Sequence, residues 1–291
     1  MNGILLIDKP SGWTSSDVVA KLRGVLHEKR IGHAGTLDPM ATGLLVLFVG
    51  RATRACSFAE ADDKEYHAGL RLGLTTDTQD VTGRTLRESD ASFVTEETLR
   101  EALAGFEGEI GQIPPMYSAI KQNGKKLYEI ARRGGEVERK PRPITVYRLA
   151  LTGRDGEDWL LDIECSKGTY VRTLCHDIGE SLGCGGCMSA LRRVRAGAFS
   201  VQQAHTLPEV IAAAAEGRAE ELLLPLDGLF AAHPALSVGA EAERRIRCGN
   251  DAALPDTPDG VWRVYGETGS FLALARTEAG VLKTIKSFFE V

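Results

Sequence analysis

The chain has 291 residues, a net charge of −5 and 43% apolar residues, which suits one large domain, or a large and a small one, around a sizeable core. No apolar run in it approaches the roughly 20 residues of a membrane span, and the opening MNGILLIDKPSGW lacks the basic region and cleavage site of a secretory signal. Six irregularly spaced cysteines point to reduced thiols, so a cytoplasmic protein without membrane contact is expected.

Residues 4–7 (ILLI) read as a strand and residues 8–12 as a turn, after which Thr14 or Ser15 caps a helix with Val18, Val19, Leu22, Val25 and Leu26 on its apolar face. A glycine-punctuated loop, residues 32–45 (GHAGTLDPMATGLL), leads into a buried strand at 44–49. From Lys64 the chain alternates, with Tyr66, Ala68, Leu70 and Leu72 on one face of a half-buried strand. Residues 75–92 are polar and turn-rich, and a helix capped by Thr95 follows, carrying Leu99, Leu103 and Phe106.

The stretch 111–143 holds Pro114, Pro115, Gly124, Gly134, Gly135 and Pro141 and reads as a glycine-hinged insertion between core elements. Strands return at 144–151 and 159–165. Thr169 is then expected to cap a helix with Val171, Leu174, Ile178 and Leu182 inward and Arg172 off that face. Alanine and glutamate dominate from 207 to about 230, and strand-like pieces at 261–265, 271–275 and 281–285 make the tail a small β-rich unit.

The average charge hides an asymmetry. Lys121, Lys125, Lys126, Arg132, Arg133, Arg139, Lys140, Arg142 and Arg148 face only Glu129, Glu136 and Glu138 across the insertion, while acids gather in the C-terminal third. Such a stripe suits a phosphate backbone, or is simply a solvated face.

Asp38 is the conspicuous acid. Asp followed by Pro39 is the order of an N-cap and a first helical residue. Yet Gly43 and the apolar run behind it leave room for about one helical turn before a strand begins. An acid with so little helix to cap needs another reason for its place. Cys184 and Cys187 have zinc-like spacing, but Cys175 and His176 are adjacent on one helix and make a poor second pair, so no metal is expected. Phosphate-loop, dinucleotide and serine-elbow patterns are absent from the chain.

Four segments in order then carry a resemblance: KPSGWTS at 9–15, GHAGTLDPMATGLL at 32–45, Lys64-Glu65-Tyr66, and SKGTYVRTL at 166–174, followed by Leu191-Arg192-Arg193. Together they resemble the bacterial tRNA pseudouridine synthases of the TruB family over nearly the whole chain. The resemblance implies an α+β fold: a mixed, mainly antiparallel sheet flanked by helices, with a small PUA-like β-rich C-terminal domain. Domain bounds of 1–232 and 233–291 are expected. It implies isomerisation of the T-loop uridine of tRNA, position 55, to pseudouridine, with Asp38 as the catalytic carboxylate.

Tyr66 is then implied to lie against the target base, Arg172 to pair with Asp38, Tyr170 to touch the substrate and Leu191 to line the uracil pocket. His33 is implied to contact RNA beside the flipped nucleotide, whose unstacking costs a few kcal/mol. Lys9, with Pro10, is expected to buttress the loop at the substrate site. Lys121, Lys125, Lys126, Arg132, Arg133, Lys140 and Arg142 become candidates for gripping the RNA backbone. A monomer that needs no cofactor and no guide RNA is expected, with the T-arm stem-loop of tRNA as its partner. A glycosidase reading would call for paired carboxylates, and no second acid is placed as convincingly as Asp38; a non-catalytic RNA-binding module would not require the Asp38, Tyr66 and Arg172 set.

Overall fold

The computed structural model describes residues 1–122 and 124–289, with the Lys121 side chain outside that description. In chain order the first elements are β1 (Gly3–Lys9), α1 (Ser15–Val25), β2 (Ile31–Ala34), β3 (Thr42–Val49), α2 (Cys56–Glu60), β4 (Lys64–Leu72), β5 (Leu74–Thr76), β6 (Thr85–Glu88) and α3 (Glu96–Ala104). There follow β7 (Gly108–Gln112), β8 (Lys121–Gln122), β9 (Lys125–Lys126), α4 (Leu127–Ala131), β10 (Arg142–Asp155), β11 (Asp158–Cys165), α5 (Val171–Ser181), β12 (Gly186–Ala196) and β13 (Phe199–Ser200). The described residues form a nine-stranded sheet along the path β1-β3-β12-β4-β11-β10-β7, with β2 added to β3 and β13 to β12. Every pairing in it is antiparallel except β3 with β12.

Burial on both faces explains the unbroken apolar runs of β1 and β3. Leu5, Ile7, Leu45, Leu47 and Val49 join one core with Val18 and Leu22 of α1 and Leu174 and Ile178 of α5. Their alternates, Ile4, Leu6, Leu44, Val46 and Phe48, join a second core with Phe230, Leu274 and Phe288. The helix face of α1 forms as its spacing predicts, and its start is set by a reciprocal box: Asp17 N donates to Thr14 Oγ1 at 3.0 Å and Thr14 N to Asp17 Oδ2 at 2.9 Å.

Beyond α6 (Leu207–Ala215) the tail builds β14 (Ala235–Ser237), α7 (Ala240–Arg247), β15 (Ala252–Ala253), β16 (Gly260–Tyr265), β17 (Phe271–Glu278) and β18 (Val281–Ser287). Its five strands run in the order β14-β16-β17-β18-β15 around Val264, Leu272, Ala273 and Leu282. Phe230 packs between α2 and the end of the tail, 5.3 Å centroid to centroid from Phe58 and 5.6 Å from Phe288.

Four sequence expectations change. Part of the loop read at 32–45 is strand, because β2 pairs Ile31 with Val49 and Ala34 with Val46. No helix follows Pro39, so Asp38 caps nothing; the next regular element is β3. Thr169 does not cap α5 either: Tyr170 holds the N-cap position, and the Thr169 hydroxyl donates back to Ser166 O at 2.9 Å. Gly111 and Gln112 belong to β7 and Arg142 and Pro143 to β10, so only 113–141 stand outside the sheet.

Candidate active site

The loop between β2 and β3 is held rigidly from below by the turn after β1. Leu37 N donates to Ser15 Oγ at 2.9 Å and Gly12 N to Pro39 O at 2.8 Å. Lys9 is wholly buried, and its ammonium donates to Pro10 O, Trp13 O and Pro39 O at 2.9, 2.6 and 3.3 Å. Burial pushes the Lys9 pKa down to about 8, against the pull of Asp38. Its position is that of a buttress beneath the loop, with no surface of its own for a ligand. Gly43 must be glycine: its φ is +94°, and a Cβ there would stand 2.3 Å from Arg193 O across the β3–β12 pairing.

Asp38 therefore projects from a fixed frame, and a buried arginine meets it. Arg172 Nε lies 2.9 Å from Asp38 Oδ2 and Nη2 3.4 Å from Oδ1, the two-pronged approach that fixes a carboxylate in orientation. The guanidinium is itself held from behind. Nη1 donates to Thr78 O at 3.0 Å and Nη2 to Tyr117 O at 2.8 Å, and Nη1 stands 3.6 Å from Asp80 Oδ2. Arg172 is 5% exposed, so it lies inside the protein although helical spacing set it off the apolar face of α5.

Asp80 was not legible as a site residue. It follows Asp77-Thr78-Gln79 in a stretch that reads as surface turn, yet it is 4% exposed and accepts from Thr78 Oγ1 at 2.9 Å and Thr82 N at 3.0 Å. The Asp80-Val81-Thr82 spacing of an Asx turn was the one local signal. Gln112 was missed as well. Its amide accepts from Tyr170 N at 2.8 Å and donates to Tyr170 O at 3.1 Å, which locks the backbone just ahead of Arg172.

Asp38 keeps 34% of its side-chain surface open. Burial pushes its carboxyl above the ordinary aspartate range; Arg172 opposes this, Asp80 adds to it, and Lys9 pulls it down. Tyr66 lies on β4 between Ile163 and Arg193 and is 9% exposed. Burial raises the Tyr66 and Tyr170 phenols, and the Asp38 charge adds weakly to both shifts. Leu191, on β12 beside Ala68, is also 9% exposed.

His33 sits on β2 opposite Leu47, half-buried, and burial with the Arg193 charge lowers its pKa. Its Nδ1 has no hydrogen-bond partner among the described residues. Cys165, Cys175, Cys184 and Cys187 are free and buried, and no group of three or more His, Cys, Asp or Glu side chains converges among the described residues.

The basic insertion forms the β8–β9 hairpin and the single turn of α4. Lys126 and Arg132 each lie 5.3 Å from the Tyr128 ring centroid. Lys125, Arg132, Arg133, Lys140 and Arg142 lie toward solvent, and among the described residues none of these five is paired with a carboxylate. Among the described residues none of these five cations pairs with Asp38; the insertion meets the site at the Tyr117 carbonyl, which accepts from Arg172 Nη2 at 2.8 Å.

One partly open carboxylate oriented by a buried arginine, with the nearly buried Tyr66 and Leu191 on the paired strands β4 and β12, can supply a fixed acid group to a bound substrate. Comparison with known proteins agrees. Residues 23–171 match the N-terminal domain of the TruB family pseudouridylate synthases, and residues 172–231 match the tRNA pseudouridylate synthase B C-terminal domain. Proteins named tRNA pseudouridine synthase B from Aromatoleum aromaticum and Syntrophotalea carbinolica are each 45% identical, over 96% and 89% of this chain and 89% and 83% of their own. Among solved structures, a Cbf5-Nop10-Gar1 complex aligns with a TM-score of 0.75 and 26% identity, over 99% of this chain and 85% of that one. An H/ACA RNP bound to a substrate RNA containing 2'-deoxyuridine aligns at 0.74 and 24% over the same shares, a likeness of fold. No helix among the described residues is long and apolar enough to cross a membrane. With both domain models matched in order and Asp38 of the first segment paired to Arg172 of the second, the chain belongs to the TruB family of pseudouridine synthases.

Proposed function

We propose that the protein isomerises the T-loop uridine of tRNA, position 55, to pseudouridine, and that it does so alone, without guide RNA. The observation that carries the reading is the Asp38–Arg172 pair at the mouth of the site, with Tyr66 and Leu191 nearly buried beside it, in a chain 45% identical to proteins named tRNA pseudouridine synthase B. In the reaction the N1–C1′ bond of uridine breaks, the uracil turns, C5 joins C1′, and the proton on C5 is lost while N1 regains one. Asp38 starts this either by attack at C1′ or by taking a proton from C2′; both need an ionised, oriented carboxylate and exclusion of water. Tyr66 offers its ring face to the flipped base, and its hydroxyl, or a water beside it, helps remove the C5 proton. Tyr170 bounds the site on the α5 side, and the half-buried His33 stacks beside the gap the flipped nucleotide leaves. The protein is expected to work as a cytoplasmic monomer, with the tail from 233 contributing a small PUA-like domain.

The direct test incubates the purified protein with an unmodified T-arm stem-loop in the presence of a metal chelator. Pseudouridine at one position is the expected product, and its absence with intact RNA binding would leave a binding module instead.

The acid limb of the rate is a second expected result. Turnover requires ionised Asp38, so the single-turnover rate falls as pH falls through a value above the usual aspartate pKa of about 3.9. Since the Asp80 charge raises the Asp38 carboxyl, Asp80→Asn shifts that limb to lower pH; a limb that stayed at the ordinary aspartate value in both proteins would contradict the assignment.

The insertion supplies the grip. Replacing Lys125, Lys126, Arg132 and Arg133 with alanine should weaken binding and flatten the plot of log affinity against log salt by about 0.7–0.9 for each RNA phosphate that is no longer neutralised. An unchanged slope and affinity would show the stripe to be a solvated face.

A further inference from the structure

One buried charge has no part in the chemistry described so far. Arg193 is 1% exposed, among the most buried large side chains in the molecule, and no carboxylate stands within 4 Å of its guanidinium among the described residues. A cation kept there is costly unless every donor is used for something. Its Nε donates to Leu44 O at 2.7 Å and its Nη2 to Gly35 O at 3.0 Å. Those two carbonyls stand on either side of the Asp38 loop, one where β2 ends and one just inside β3. The backbone of Arg193 faces Gly43 on one side and Tyr66 on the other, because β12 runs parallel to β3 and antiparallel to β4. Burial raises the Tyr66 phenol pKa, and the guanidinium charge lowers it against that burial.

We infer that Arg193 is a positioning residue for the isomerisation proposed above: its planar fork spans both ends of the Asp38 loop and sets the carboxylate at a fixed distance from the Tyr66 phenol. The inference rests on that reaction and adds to it a member that touches neither RNA nor the reacting atoms. A guanidinium suits the task because its donors lie in one rigid plane, whereas an ammonium matches the charge but cannot hold two separated carbonyls in register.

The test compares wild type with Arg193→Lys, reading the single-turnover rate at saturating T-arm stem-loop, the RNA Kd, and the thermal unfolding profile. The expected result is a rate lowered by up to about 100-fold, the cost of misplacing reacting groups by about 1 Å, with Kd within about twofold of wild type and one cooperative melt. A rate equal to wild type, or one reduced only in proportion to the unfolded fraction, would overturn the inference. If Arg193→Lys does not fold, Gly35→Ala decides: its Cβ would stand 3.1 Å from Arg193 Nη1 at a φ of +76°, disturbing the clamp while keeping the charge. The same split between rate and Kd supports the clamp, and an unchanged rate rejects it. Should wild type itself form no pseudouridine, it is the proposed reaction that fails, a result distinct from an active wild type with an equally active Arg193→Lys.

Discussion

Asp38→Asn should lose turnover by at least about 1,000-fold, within the range expected when a positioned acid–base group is removed, while its affinity for the T-arm stem-loop stays within a few-fold of wild type. Asn has the same shape and its oxygen still accepts from Arg172 Nε, so the loop keeps its anchors on Ser15, Gly12 and Lys9. What disappears is the charge, which either route at the sugar requires. Binding survives because the cations of the insertion lie elsewhere on the chain. Stability should not suffer either. The folded pKa of Asp38 is raised, chiefly by burial, so ionisation of this group weakens the folded state as pH rises above the unfolded value of about 3.9. Removing the charge at neutral pH lifts that burden, at the expense of its attraction to Arg172, and the melting temperature is expected to be equal or higher. Turnover within tenfold of wild type would remove Asp38 from the mechanism.

Arg172→Met should be damaging in a different way, to the fold as well as the rate. The guanidinium holds Asp38, Asp80, Thr78 O and Tyr117 O together, and its loss leaves two carboxylates and two carbonyls facing one another. Breaking a buried pair by deleting one partner costs about 3–5 kcal/mol, readable as a lower midpoint in urea. Turnover should fall by about 100-fold or more, since a reacting group misplaced by about 1 Å already loses that much. Arg172→Lys separates charge from shape. It should recover part of the stability and little of the rate, because an ammonium cannot reach both oxygens of Asp38 and the carbonyls behind it. A lysine variant as fast as wild type would show that only a positive charge is needed there.

Much of this arrangement is legible in residue order where one stretch of chain decides it. The run 44–49 reads as a buried strand and is one; the alternation from Lys64 puts Tyr66 inward, and it is inward; the helix after Thr14 has its cap and face as spaced. Asp38 stood out because local chemistry gave it no helix to cap. What the residue order hides are features made by distant segments. Arg172 looks solvent-facing on a helical wheel, and becomes buried because the 76–80 turn and Tyr117 cover it. Asp80 and Gln112 look like surface polar residues for the same reason, and only the folded chain brings Gln112 to the Tyr170 backbone. Strand β2 has only four residues, one of them glycine, and does not announce itself; its pairing with β3 defines it. Thr169 followed the local grammar of a cap, yet the Ser166 carbonyl took its hydroxyl.

The most direct measurement of the central claim is site-resolved mapping of pseudouridine in a full-length, unmodified tRNA transcript incubated with this protein as the sole macromolecule added. One pseudouridine, at the T-loop uridine 55, is the predicted result; a transcript left unmodified, or modified elsewhere or only when a second RNA is supplied, would contradict it.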